Sequence, residues 1–129
     1  MEATALGALG LYAVEDGRVQ DAISLLVEST RLWREIGENW EEVVLNVCSF
    51  ARALTVAGRA EVATQLLSAA ASLHEERGAT PRMYMTDVNE GTLAMIHGQL
   101  DQAAFAEAWE QGRSLSLDDA IALALESLD

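Results

Sequence analysis

The feature that most constrains this 129-residue chain is the spacing of its glycines. Gly17, Gly37, Gly58, Gly78 and Gly98 follow one another at intervals of 20, 21, 20 and 20 residues. A glycine just past a helix end supplies the left-handed residue that closes the last turn without a Cβ clash. A stop every 20 residues therefore predicts helices of about four to five turns joined by short turns. The intervening segments agree. Val19, Ala22, Ile23, Leu26, Val27, Leu32 and Trp33 recur at three- and four-residue steps, as do Val62, Ala63, Leu66, Leu67, Ala70 and Leu73. That is the stripe of an amphipathic helix. No stretch alternates as a strand would, and no Asn-Gly or Asp-Gly hairpin signal occurs. Thr80 and Pro81 read as a cap followed by proline in the first turn. Ser116 before Leu117, Asp118 and Asp119 reads as a cap followed by first-turn acids. Gly112 reads as a sixth stop. The chain is therefore expected to be all-α, with helices at about 2–15, 19–36, 39–57, 60–77, 82–97, 100–111 and 117–127.

The glycines also head a repeat. Gly17-Arg-Val-Gln-Asp-Ala22, followed by Leu26, aligns with Gly58-Arg-Ala-Glu-Val-Ala63, followed by Leu67, 41 residues on. Gly98-Gln-Leu-Asp-Gln-Ala103 follows 40 residues later. A small residue at a helix–helix crossing lets two backbones approach. This pattern resembles tetratricopeptide repeats, in which Gly ends helix A, Ala opens helix B and a large apolar residue follows. Gly10, Ala51 and Gly91 match the small helix-A position. The family's helix-A Trp and Tyr and its terminal Pro are missing here. The period exceeds the usual ~34 residues, as in the longer-helix variant of large signalling proteins. The resemblance implies an α-α superhelix spanning residues 1–129 as one domain. Its three hairpins fall at about 2–37, 39–78 and 82–112, with a closing helix at 117–128 that caps the open end of the stack.

The last third resembles the ending of large bacterial regulators through Ala104, Ala108, Trp109, Gly112, Leu115-Ser116 and Ala120. Such proteins carry repeats of this kind behind an ATPase module, with a LuxR-type helix-turn-helix, a transcriptional-activator domain or a nucleotide cyclase elsewhere. The resemblance implies that the chain is a C-terminal piece of a larger bacterial protein. It would serve as a non-catalytic interaction or sensor module of a transcriptional regulator. The regulatory tail of a cyclase and a free-standing adaptor are the alternatives.

Composition narrows the partners. Eight cations, all Arg, stand against 21 carboxylates, a net charge of −13. Such a chain repels phosphate backbones and anionic lipid, so neither nucleic acid nor membrane is an expected partner. No apolar run approaches the ~18 residues of a membrane span, and no signal-peptide pattern opens the chain, which makes the cytoplasm the default compartment. Cys48 is the single cysteine, so no internal disulfide can form. Without Lys there is no phosphate-binding Gly-x-x-x-x-Gly-Lys loop, and Gly-x-Ser-x-Gly and His-Glu-x-x-His are also absent. No catalysis, cofactor or metal is expected.

The remaining chemical residues have structural readings. His74 and His97 lie near helix ends, where an imidazole complements the dipole. Glu38, Glu41 and Glu42 sit around a helix start, where carboxylates do the same. Cys48 falls among Val44, Val47 and Ala51 as a small buried apolar residue. Trp33 and Trp40 flank the Gly37 turn and are placed to clamp it, and Trp109 is placed to pack the third hairpin on the closing helix. What remains is a groove. In the family resembled, the first helix of each hairpin lines the concave face. The inward positions implied are Thr4, Gly7, Leu11 and Val14, then Leu45, Cys48, Arg52 and Thr55, then Met85, Val88, Thr92 and Met95. Leu11, Cys48, Arg52, Thr55, Met85, Val88, Thr92 and Met95 are the candidate binding residues, with Arg52 placed to anchor a carboxylate. The expected occupant is a protein or peptide, or a neighbouring domain of the parent chain. The first helix pair, whose first helix carries Leu6, Leu9, Leu11, Tyr12 and Val14, is a candidate homodimer surface.

Overall fold

The computed structural model describes residues 2–37 and 39–127. Glu38 and Leu128, named above, lie outside the described residues. Within them the chain is all-α, with seven helices and no strand. They are α1 (Ala3–Glu15), α2 (Val19–Ile36), α3 (Trp40–Val56), α4 (Ala60–Arg77), α5 (Met83–His97), α6 (Gln102–Arg113) and α7 (Leu117–Glu126). No helix among the described residues is long and apolar enough to cross a membrane.

Four of the five periodic glycines do what their spacing predicts. Gly17, Gly37, Gly58 and Gly78 have φ of 80°, 78°, 84° and 65°. After α1, α3 and α4 the next amide reaches back five residues, Arg18 N to Ala13 O, Arg59 N to Leu54 O and Ala79 N to His74 O. Paired with the glycine's own bond three residues back, these close three Schellman ends. Gly98 differs: its φ is −79°, and α5 ends through Gln99 and Leu100 amides donating to Ile96 O. Gly112 is not a stop either. It lies inside α6, where it is buried against α4. Ser116 caps α7 by accepting from Asp119 N at 3.1 Å. Thr80 and Pro81 do not begin α5, whose first residue is Met83.

The core is organised on α3. Every residue from Val43 to Ala51 is buried, as befits a helix apolar on all sides. It packs on α1, α2, α4, α5 and α7. Ala22 and Ala63 are fully buried, as their crossing role requires, with Leu26 and Leu67 beside them. A Cβ added at Gly10 would stand 2.8 Å from Leu26 Cδ2, so α1 and α2 meet there at close range. The first two hairpins, α1–α2 and α3–α4, are therefore tightly paired.

The third is not. Ala103 is exposed, and α6 lies along α4, touching its own partner α5 mainly where His97 stacks on Phe105 at 4.6 Å. Gly91 faces α3 rather than α6, and a Cβ added there would stand 2.8 Å from Arg52 Nη1. The closing helix also departs from expectation. It does not cap the open end. Instead α7 folds back over α3 and α4, burying Ala120, Ile121 and Ala124 in the main core. Arg34 pairs with Asp118 at 3.6 Å at one end of α7, and Arg59 Nη1 donates to Ser127 O at 2.6 Å at the other. Trp109 packs beside Phe105, with ring centroids 5.7 Å apart, and against the main core, and borders a hollow with Leu67, Ala70 and Leu93 that no residue of α7 lines. Trp33 and Trp40 border one hollow with Leu117 and Ile121, but no ring pair joins them among the described residues. Trp40 instead sits edge-on to His74 at 5.6 Å and under Arg77 at 4.8 Å.

Candidate functional site

Helices α1, α3 and α5 share one face, and between α1 and α5 that face is open. The cleft has a volume of about 590 Å³. Its lining is mostly apolar, from Leu11 on α1, Leu45 on α3, Met85 and Val88 on α5, and Trp33 reaching across from α2. The opening has a local cause. At the Gly91 level α5 is drawn onto α3, where Arg52 Nη1 donates to Val88 O and Thr92 Oγ1, both at 3.3 Å. The cleft therefore uses the first two turns of α5 and the first three of α3.

A buried polar network holds the α1 wall. Ser29 Oγ donates to Ala3 O at 2.6 Å, and Asn46 Nδ2 donates to Ser29 Oγ at 2.9 Å and to Thr30 Oγ1 at 3.3 Å. Gly7 lies over it so closely that a Cβ would come within 2.8 Å of Asn46 Oδ1. Buried amides and hydroxyls of this kind are costly unless paired, so the network fixes α1 against α2 and α3. On the opposite side Arg82 Nη2 donates to Glu42 Oε1 at 2.9 Å, tying the start of α5 to α3. The bond to Glu42, with a further contact from Tyr84, holds the Arg82 guanidinium above its ordinary pKa. Tyr12 and Tyr84 stand at the rim of opposite walls, 66% and 49% exposed.

The eight candidate residues divide. Leu11, Met85 and Val88 line the cleft, together with Thr4, Gly7 and Leu45 from the wider inward set. Cys48, Thr55 and Thr92 are buried and lie outside the lining of the cleft. Thr55 and Thr92 turn their hydroxyls to Ala51 O and Val88 O of their own helices. Cys48 Sγ receives Asn89 Nδ2 at 3.4 Å, and burial pushes its thiol up to about 11. Arg52 spends its guanidinium on α5, as above, and Met95 lies half-buried on the later turns of α5, outside the cleft. Val14 is buried against Ala13, Ala22 and Ala53. Leu6 is likewise buried, which leaves Leu9 and Tyr12 as the exposed large apolar residues of α1.

Eleven of the lining residues escape the family-derived positions, among them Tyr12, Tyr84, Arg82 and Trp33. Tyr84 precedes Val88 by one helical turn, a signal present in the sequence. Trp33 comes from a second helix, which the inward rule excludes. Among the described residues no three His, Cys, Asp or Glu side chains gather to hold a metal ion. No protein-family model, curated protein or solved structure matches the chain.

Proposed function

We propose that the chain is a non-catalytic interaction module of tetratricopeptide-like build, belonging to a bacterial transcriptional regulator, and that the α1–α5 cleft receives a short segment of a partner protein. The observation that carries this reading is the cleft itself, an open apolar hollow walled by α1, α3 and α5 and rimmed by two exposed tyrosines. Two close-packed hairpins with α1, α3 and α5 on a common face support the superhelix reading. Tyrosine is enriched at protein-binding hot spots because it offers a large, stiff contact area with a polar tip.

Panning a random displayed-peptide library over the immobilised chain tests the reading. Ala8 is exposed and lines the cleft, so Ala8→Phe fills the hollow while the fold is kept. Recovered peptides are expected to bind the wild-type chain and to lose about fivefold or more in affinity to Ala8→Phe and to Tyr84→Ala. Recovery of no binders, or of binders indifferent to both variants, overturns it.

A further inference from the structure

Resting on the cleft reading, we infer that the segment it takes is cationic and apolar: a bulky hydrophobic anchor flanked by Arg or Lys. Charge is the first ground. The cleft lining holds three carboxylates, Glu15, Glu42 and Asp87, against one guanidinium, Arg82. Arg82 is committed to Glu42 at 2.9 Å. Glu15 on α1 and Asp87 on α5 then stand on opposite walls, and neither enters an ion pair among the described residues.

Of the other seven arginines, Arg31 is exposed on α2 outside the cleft lining, and six are engaged elsewhere. Arg52 is turned into α5. Arg18 faces Asp16 and Asp21, Arg34 faces Asp118, Arg59 binds Ser127 O, Arg77 covers Trp40 and Arg113 faces Glu110. The concave side of a chain with net charge −13 thus offers an anionic ligand no uncommitted cation in its lining. Anionic ligands meet repulsion there, and cationic ones are drawn in.

The aromatic rim is the second ground. Tyr12, Tyr84 and Trp33 border the cleft on three helices. Aromatic faces attract guanidinium and ammonium groups, and do so beside an apolar floor that removes water from the contact. Leu11, Leu45, Met85 and Val88 form that floor and would receive the anchor, Met being adaptable in shape. A second copy of the chain is a poor occupant, because it brings the same excess of carboxylates to the same cleft.

The test uses four labelled peptides on the full chain: a Trp anchor flanked by Arg, the same with Gln, the same with Glu, and the Arg peptide with Ser for Trp. Fluorescence anisotropy is read at low and high salt. The Arg–Trp peptide is expected to bind most tightly and to weaken with salt. Glu15→Gln with Asp87→Asn should cost it about three- to tenfold while the Gln peptide is unaffected. Equal binding of the Gln peptide, with loss in Ala8→Phe, overturns the charge inference and leaves the cleft reading standing. Equal binding of the Ser peptide reduces the effect to bulk charge and overturns the inference. Tighter binding of the Glu peptide does so too, as does self-association in sedimentation that Tyr12→Glu abolishes. Binding of every peptide indifferent to Ala8→Phe overturns both.

Discussion

Gly112→Ala is the sharpest single perturbation of this fold. Gly112 sits in the last turn of α6 where that helix crosses α4. A Cβ there would stand 2.2 Å from Gln65 O, 2.8 Å from Gln65 Cα and 2.8 Å from Ser68 Cβ, where ordinary contact begins at 3.4 Å. Two of the three atoms are backbone of a buried helix, so no side-chain rotation relieves the contact, and α6 must withdraw by roughly 1 Å. Overpacking of this kind costs about 1–3 kcal/mol, and occasionally more. Against it stands the gain of replacing Gly by Ala in a helix, up to about 1 kcal/mol. Because the obstruction is main chain, the cost falls at the upper end of that range, about 2–3 kcal/mol, and the net loss is about 1–2 kcal/mol, a fall in Tm of roughly 3–10 °C for a domain of this size. Far-UV circular dichroism melts read it directly. Because the obstruction at position 65 is main chain, adding Gln65→Ala should not restore stability. An unchanged or raised Tm for Gly112→Ala, or rescue by Gln65→Ala, would refute the close crossing.

Two further outcomes follow from the core. Truncation after Arg113 removes α7 and uncovers the α3–α4 surface on which Ala120, Ile121 and Ala124 lie. A chain that then melts non-cooperatively or aggregates is expected, since buried aliphatic side chains contribute about 1.5–3 kcal/mol each for the larger ones; a soluble, cooperative remnant would make α7 an appendage. The Cys48 thiol is raised from 9.0 to about 11 by burial, with the Asn89 bond opposing. The folded state therefore holds this proton more tightly than the unfolded one. The associated stability is complete below about pH 9, drains between pH 9 and 11 and is gone above. Urea unfolding should show a larger loss from pH 8 to 10 in the parent chain than in Cys48→Ala, and equal losses would contradict it.

Most of this fold was written in local signals. Gly17, Gly37, Gly58 and Gly78 stop helices because a left-handed residue is needed there and little else in the chain can supply one cheaply. Ser116 caps α7 through its own hydroxyl. The apolar stripes set which faces turn inward. Gly112 reads as a stop because a glycine that ends a helix and one that admits a neighbouring backbone look alike in sequence. The destination of α7 was hidden for a related reason. Its apolar residues say that it is covered, but the partner surface, α3 and α4, lies more than forty residues away and has no signature of its own. The site was half legible. Leu11, Met85 and Val88 follow from the inward positions that the tetratricopeptide resemblance implies, whereas the burial of Cys48, Thr55 and Thr92 depends on how closely α5 settles on α3.

That settling explains why the cleft lies where it does. In the first two hairpins the Ala after the glycine is followed four residues on by Leu26 or Leu67, which seats the second helix on the first. At the matching place in the third stands Glu107, exposed, and Ala103 is exposed with it. The α6 helix therefore lacks the apolar seat that would hold it to α5, and its smallest residue, Gly112, lets it bed on α4 instead. Freed from α6, α5 turns its own glycine, Gly91, toward α3, where Arg52 fills the space a larger side chain would take. The later turns of α5 are thereby closed onto α3. Only its first two turns, carrying Tyr84, Met85 and Val88, remain as a wall facing α1. A charged residue at position 107, where its counterparts are leucine, thus removes one apolar contact that would seat α6 on α5, and the loosened third hairpin and the place of the cleft are consistent with that loss.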